Sequence, residues 1–295
     1  MESESTEDRN QSLTGKTCIV TGGTSGIGKE TAAGLARLGG EVIIVGRSRE
    51  KCETVRDEMI SKSSNRNIRY ELADLSLMDS VRKLAENIIS SNGHIDVLIN
   101  NAGGVFSRYA LTKDGFESTT ALNYLSPVLL TRLLFPSLKS SGSARIINIG
   151  SSVHKSGRTD FDFRYPWKYR AMKAYSTSKL MITMFSYSLG RRIRGMNMSS
   201  ILVEPGFVST NLGRNSGSGI LSASFGMMKP FQISAYEAAK TPIHLATFAT
   251  NEEVNGKCFS RLNEIRTSGI SYDEKLQDDL WKMTSDALRL PLDIA

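Results

Sequence analysis

Tyr169 and Tyr175 each have a lysine four residues further on, Lys173 and Lys179, within "WKYRAMKAYSTSKL". On an α-helix that offset stacks two side chains on one face, one turn apart. An ammonium beside a phenol favours the ionised form and lowers its pKa from the free value of about 10. Such a pair can give a proton to a reacting oxygen or take one away. The flanks must separate the two frames. Between Tyr175 and Lys179 lie only the small Ser176, Thr177 and Ser178, and the apolar helical run "LMITMFSYSLGRRIRG" follows. The other frame encloses the bulky Arg170 and Met172 behind Pro166 and Trp167, so it falls in a loop or at a ragged helix start.

Other polar groups could join such a pair. "RIINIGSSVH" puts Ser151 and Ser152 just behind an apolar strand. A hydroxyl there can donate to an oxygen that gains charge, with a turn cap as the competing role. In "TTALNYLSPVLLTRLL", Asn123 stands four residues before Pro127. Proline lacks an N–H and clashes with the carbonyl four residues back, so a kink freeing the Asn123 carbonyl is expected; a plain polar helix residue is the alternative. His94, His154 and His244 have neither metal-ligand spacing nor a serine partner, which disfavours metal sites and hydrolase triads. His154, just past Ser152, is expected either to touch substrate or to lie on a surface loop.

These groups need strands and helices to hold them. "KTCIVTG" runs straight into "TGGTSGIGKETAAGLARLGG", where Gly22, Gly26 and Gly28 sit between a strand and an amphipathic helix. Glycine admits unusual φ values there, and the helix start offers free N–H groups and a positive dipole end to a pyrophosphate. Further strand candidates are "EVIIVG", "IRYELAD", "IDVLINN", "RIINIGS", "SSILVEPG" and "GKCFS", separated by helix-like stretches of crossover length. This rhythm predicts a single doubly wound α/β domain over 15–295, Rossmann-like, with a mostly parallel seven-stranded sheet flanked by helices and a flexible tail at 1–14. Two segments break the rhythm: the aromatic, basic 153–174 and the Gly-, Ser-, Met- and Phe-rich 207–233. Both are expected to be binding loops or lids. The final "DDLWKMTSDALRLPLDIA" reads as an amphipathic helix and tail of unknown target.

With Thr21 in front, the glycine turn has the spacing T-G-x-x-x-G-x-G. "NNAG" spans Asn100 to Gly103, "YSTSK" spans Tyr175 to Lys179, and "PGFVST" runs from Pro205 to Thr210. In this order the motifs resemble the short-chain dehydrogenase/reductase family, from about Gly15 to about Ser260. The long segment before Tyr175 and the arginine after the second strand are similar to its retinol-dehydrogenase-like branch. The resemblance implies an oxidoreductase that interconverts a carbonyl and an alcohol by hydride transfer with a nicotinamide cofactor. Only the second frame, with Ser178 directly before its lysine, fits the family's tyrosine–serine–lysine pattern. Tyr175 is then the acid in reduction and the base in oxidation, and Lys179 lowers its pKa and holds the nicotinamide ribose. Gly150 takes the place of the first of two serines usual after this strand, so Ser151 matches the polarising hydroxyl, with Ser152 its rival. The Asn123 carbonyl would hold a relay water behind the lysine. Cofactor contacts are implied for Gly22, Thr24, Ser25, Gly26, Ile27 and Gly28, for Asp74 and Leu75 in "LADLS", and for Asn101, Ala102, Gly103, Pro205, Gly206, Val208 and Thr210.

The second strand ends "IIVGRSREK". An acid at this place binds a ribose 2′-hydroxyl, whereas an arginine accommodates a 2′-phosphate. Arg47 offers a planar fork of donors with no carboxylate beside it, which favours NADP(H) over NAD(H); a solvent-facing residue at a helix start is the plain alternative. The Met- and Phe-bearing stretch from Ile220 to Phe231 suggests an apolar substrate, retinoid, steroid or a simpler aldehyde or ketone. A nucleotide-binding regulatory protein that has lost its chemistry is the competing function, as is epimerisation or dehydration on the same scaffold.

Composition narrows the partners. The net charge of +7 is scattered through apparent helices without a basic arm, so a small-molecule carbonyl or alcohol is expected rather than nucleic acid. The apolar runs are strand-sized, too short for a transmembrane segment. The opening "MESESTEDRNQSLTGK" lacks the basic start and apolar centre of a secretory signal, and Cys18, Cys52 and Cys258 are too widely spaced for a disulfide frame. A cytoplasmic location is the default that follows. Related enzymes often pair through long helices, which leaves a homo-oligomer as an open expectation.

Overall fold

A computed structural model describes residues 12–165, 167–206, 233–247 and 250–294. Val208, Thr210, most of the 207–233 segment and residues 1–11 of the expected tail lie outside the described residues. The chain is tied down from Leu13, which packs in the core and donates its N–H to the Leu38 carbonyl.

The strands are β1 (Thr17–Thr21), β2 (Glu41–Gly46), β3 (Ile68–Leu72), β4 (Val97–Asn100), β5 (Ala144–Ile149), β6 (Met198–Val203), β7 (Lys257–Ser260) and β8 (Asn263–Ile265). They form one sheet in the order β3-β2-β1-β4-β5-β6-β7-β8, with only β7–β8 antiparallel. β1, β4 and β6 are buried along their whole length, as strands covered on both faces must be, which explains why their apolar residues come in runs (CIV, VLI and ILV) rather than in alternation. Among the described residues the sheet has eight strands where seven were expected. The extra one is a three-residue edge piece reached through Arg261 and Leu262, both at positive φ. A two-residue hairpin turn of that kind is usually announced by Asn or Gly. Here neither is present, so the turn carries no sequence signal.

Among the described residues the helices of eight residues or more are α1 (Gly26–Arg37), α2 (Arg49–Ser63), α3 (Met78–Ser91), α4 (Ser126–Leu133), α5 (Ala171–Arg192), α6 (Ala235–Thr247) and α7 (Glu274–Leu288). A π turn, Ala121–Leu125, leads into α4, whose second residue is Pro127. Its first carbonyl, Ala121, accepts from Ser126, and Pro127 has no N–H to offer the carbonyls of Leu122 or Asn123. The expected kink is therefore a widened turn.

Helix α5 is buried at every position from Ala174 to Gly190. One side lies on the sheet, and α7 covers another. Trp281 of α7 stacks on Phe185 with ring centroids 5.8 Å apart, and the Thr284 hydroxyl pairs with that of Tyr124 at 2.6 Å. The target of the C-terminal helix is thus the α4–α5 face. Among the described residues no helix is long and apolar enough to cross a membrane.

Candidate active site

Strand order reverses between β1 and β4, and doubly wound sheets bind ligands in the crevice beyond the strand ends at such a switch point. The glycine turn after β1 forms one wall. Gly22 and Gly26 have φ of +66° and +54°, values that disfavour a side chain. A Cβ on Gly28 would overlap the Asn101 amide and the Gly22 carbonyl. The turn therefore lies flat on the end of β4 with its backbone bare. Ser25 is the N-cap of α1, yet its side chain makes no capping bond, which leaves the first N–H groups of α1 to a ligand. These features fit a pyrophosphate.

Thr21, used above only as part of a motif, organises this wall. Its Oγ1 accepts from the N–H groups of Asn101 and Ala102 at 2.9 and 3.0 Å, and the Asn101 amide donates to the Thr21 carbonyl at 2.8 Å. Asn101 and Ala102 therefore shape the floor, with their own N–H groups already engaged. Arg47 is exposed and makes no hydrogen bond or ion pair to any described residue, whereas Arg49 donates to the Tyr70 hydroxyl at 3.1 Å. Of the two, Arg47 is the guanidinium not engaged by a described residue. Asp74 uses one carboxylate oxygen to cap its own turn, through the N–H and hydroxyl of Ser76, and Leu75 is buried in the core. Gly206 has φ of +82° in the loop after β6, next to Pro205.

The other end of the crevice gathers Ser151, Tyr175, Lys179 and Asn123. Tyr175 lies in the second turn of α5 and is 8% exposed. Burial pushes its phenol up to about 12, and its hydrogen bond with the Ser151 side chain pulls the other way. Lys179 is buried one turn on, with Nζ donating to the Ile149 carbonyl at 2.7 Å and lying 5.7 Å from the centre of the Tyr175 ring. Its own pKa is pushed down to about 8 by the same loss of solvent. The opposing pull on the phenol comes from the Ser151 side chain. A Cβ on Gly103 would sit 3.2 Å from Asn123 Oδ1 and 3.8 Å from Lys179 Nζ, so the four residues share one corner.

The small residues inside the frame are fasteners as well as spacers. Ser178 donates to the Tyr175 carbonyl at 2.8 Å and accepts from the Asn123 amide at 3.0 Å, and Thr177 accepts the Arg158 N–H at 3.0 Å. Asn123 also exchanges bonds with both backbone groups of Gly104. Its side chain is thus committed to holding the loop after β4.

The second tyrosine–lysine spacing does not form a pair in space. Tyr169 precedes α5 and donates to the Phe106 carbonyl at 2.7 Å, beside the fully buried Glu117 carboxylate at 3.3 Å, while Lys173 reaches the Ser156 carbonyl at 2.7 Å. Glu117 caps the turn Ser118–Thr120 through two N–H groups, a role visible in "FESTT" only with hindsight. His154 is neither exposed nor on the substrate side: it is fully buried beneath Ser151. Among the described residues, no three His, Cys, Asp or Glu side chains gather as metal ligands.

Residues 16–221 match the family model for short chain dehydrogenase, and the chain belongs to that family. It is an oxidoreductase of the short-chain type, with a nicotinamide cofactor and a small-molecule substrate. Within the family it falls in the retinol-dehydrogenase-like branch. It is 37% identical to "Retinol dehydrogenase 13" of Mus musculus over 91% of this chain and 82% of that one. It is 36% identical to "Retinol dehydrogenase 11" of Homo sapiens, over 95% and 88%. Among solved structures, the Pseudomonas aeruginosa RhlG/NADP active-site complex is similar with a TM-score of 0.68 at 26% identity, over 89% of this chain and 98% of that one. A metagenomic short-chain oxidoreductase in complex with NADP is similar with a TM-score of 0.61 at 25% identity, over 80% and 93%.

Proposed function

We propose that this chain is an NADP(H)-dependent oxidoreductase that interconverts a carbonyl and an alcohol on an apolar, retinoid-like substrate, with Tyr175 as general acid and base. The observation that carries the proposal is the buried contact of Tyr175 with Ser151, one helical turn from a lysine held against the end of β5. The names of the relatives support the substrate class, and the NADP complexes among the neighbours support the cofactor.

The turn from Gly22 to Gly28 and the start of α1 would hold the pyrophosphate, with Thr24, Ser25 and Ile27 at its edge. Arg47 would receive the 2′-phosphate, and Asp74 and Leu75 would border the adenine. Asn101, Ala102 and Gly103 would back the ribose, and Pro205, Gly206, Val208 and Thr210 would close the nicotinamide side. When bound, the nicotinamide supplies or accepts the hydride. Ser151 donates a hydrogen bond to the substrate oxygen as charge develops on it. Tyr175 delivers its phenolic proton to that oxygen in reduction and removes it in oxidation. Lys179 holds the ribose and offers a proton route towards Asn123. The whole of 15–295 acts as one catalytic domain.

The test is a panel of retinoids, steroids, aldehydes and ketones with both cofactors. Activity should be greater with NADPH, and Arg47→Ala should raise the KM for NADPH on the order of tenfold while barely moving that for NADH. Equal shifts would remove the cofactor assignment. Tyr175→Phe should abolish turnover and leave NADPH binding intact by fluorescence titration; retained turnover would remove the assignment of the acid.

A further inference from the structure

A buried histidine beneath Ser151 has no task in the chemistry described so far. Ser151 is the N-cap of a short 3-10 turn, Ser152–Ser156, and has φ of −169° and ψ of 144°. His154 lies in that turn with no exposed surface. Both its backbone N–H and its ring face the Ser151 carbonyl, at 3.0 Å and, from Nδ1, 2.9 Å. On the other side of the ring, Nε2 lies 3.0 Å from the Ser268 N–H. A backbone N–H can only donate, so Nε2 carries the lone pair and Nδ1 the hydrogen. Glu204 Oε1 is 2.8 Å from the same Nδ1 and has no hydrogen bond of its own, although it is buried. The Nδ1–H is thus directed at the Ser151 carbonyl with a carboxylate alongside. Glu204 stands between the end of β6 and Pro205–Gly206, and its N–H is bonded to the Phe259 carbonyl at 2.9 Å. One imidazole therefore ties together the ends of β5 and β6 and the segment that leads into α7.

We infer that His154, held between the Ser151 carbonyl and the Ser268 N–H, is the positioning residue for the Ser151 hydroxyl. Two donors on one carbonyl fix the Ser151 peptide plane, and that plane aims the side chain at Tyr175. The inference rests on the reading of Ser151 as the group that polarises the substrate oxygen. Neither His154 nor Glu204 touches substrate or cofactor in this role.

The two ring nitrogens allow the role to be separated from simple anchoring. Asparagine at 154 places an N–H near the position of Nδ1 and keeps the bond to Ser151. Glutamine places its amide near Nε2 and keeps the bond to Ser268. With NADPH and either all-trans-retinal or decanal, His154→Phe and His154→Gln should lower kcat about ten- to a hundredfold, as loss of an orienting partner does at other sites. The KM for NADPH should stay within about twofold. His154→Asn should recover kcat to within about threefold of the parent chain. In a Ser151→Ala background, His154→Phe should cost less than about twofold more, because the group it positions is gone. Thermal melts separate misfolded variants from slow ones, and the Asn and Gln pair decides if His154→Phe fails to fold. The inference is overturned if His154→Gln recovers kcat and His154→Asn does not, or if His154→Phe costs as much without Ser151 as with it. Full activity in Ser151→Ala would overturn the reading of Ser151 itself, and this inference with it. A slow Ser151→Ala beside a normal His154→Phe would remove the positioning role alone.

Discussion

Burial moves the two ends of the Tyr175–Lys179 pair in opposite directions, the phenol up to about 12 and the ammonium down to about 8. Both shifts disfavour charge, and they suit the two directions of reaction differently. At neutral pH the phenol is protonated and ready to act as an acid, whereas oxidation needs the phenolate. The rate of alcohol oxidation should therefore climb with pH between 7 and 9, by up to about tenfold per unit, while carbonyl reduction stays nearly level. A flat oxidation profile measured as kcat/KM would count against Tyr175 as the base. Lys179 carries a stability cost with a definite sign. Its folded pKa lies below its unfolded value, so the unfolded chain binds more protons between the two, and stability rises with pH in that window. Lys179→Met should abolish activity yet raise the unfolding free energy at pH 7 by about 2 kcal/mol, allowing for the lost bond to Ile149, with the gain shrinking above pH 8. Chemical denaturation at pH 7 and 9 measures it. The pair was legible in the sequence because spacing and small flanks are local properties. The shifts, and the His154–Glu204 contact, arise between residues far apart in the chain and leave no local mark.

Helix α5 and the segment before it show how a loop can be held without regular structure. The Tyr169 hydroxyl joins the Phe106 carbonyl and the Glu117 carboxylate, and Tyr165, at a φ of +55°, packs its ring against both Tyr169 and Trp167. The 153–174 segment is thus pinned to the loop after β4. Tyr169→Phe would leave the Phe106 carbonyl without its 2.7 Å donor and should cost about 1 kcal/mol of stability. It should also raise the KM for the carbonyl substrate with little change in that for NADPH. Steady-state kinetics and a urea melt test both parts; a change confined to kcat would place Tyr169 elsewhere in the mechanism. At this scale the strands and the Pro127 irregularity were readable from apolar runs and one proline. The π turn itself was not, because a clash says only that the regular ladder must break.

For the molecule as a whole, the closing element is α7. Arg132 and Arg192 place their guanidinium groups over the faces of Trp281, 4.7 and 4.3 Å from the ring centre, and Arg132 also donates to the Asp293 carbonyl at 3.0 Å. Trp281→Ala should cost about 3–5 kcal/mol, the range for emptying an aromatic site in a core, and should lower the melting temperature of the entire chain. A loss under about 1 kcal/mol would mean that α7 is a dispensable cover. The sequence showed an amphipathic helix here but no target, since amphipathicity says which face is covered and never by what.

The order of synthesis gives the α7 contacts a further meaning. Thr21 meets its partners once Ala102 has been made, so the nucleotide-binding wall can assemble while most of the chain is still to come. The catalytic wall cannot close so early. Ser268 must arrive to complete the bond to His154, and the apolar flank of α5 stays uncovered until Trp281 has been added. A growing chain therefore passes through a period in which the nucleotide-binding wall can form while the corner around Ser151 and Tyr175 is still open and the apolar flank of α5 is prone to stick to other chains.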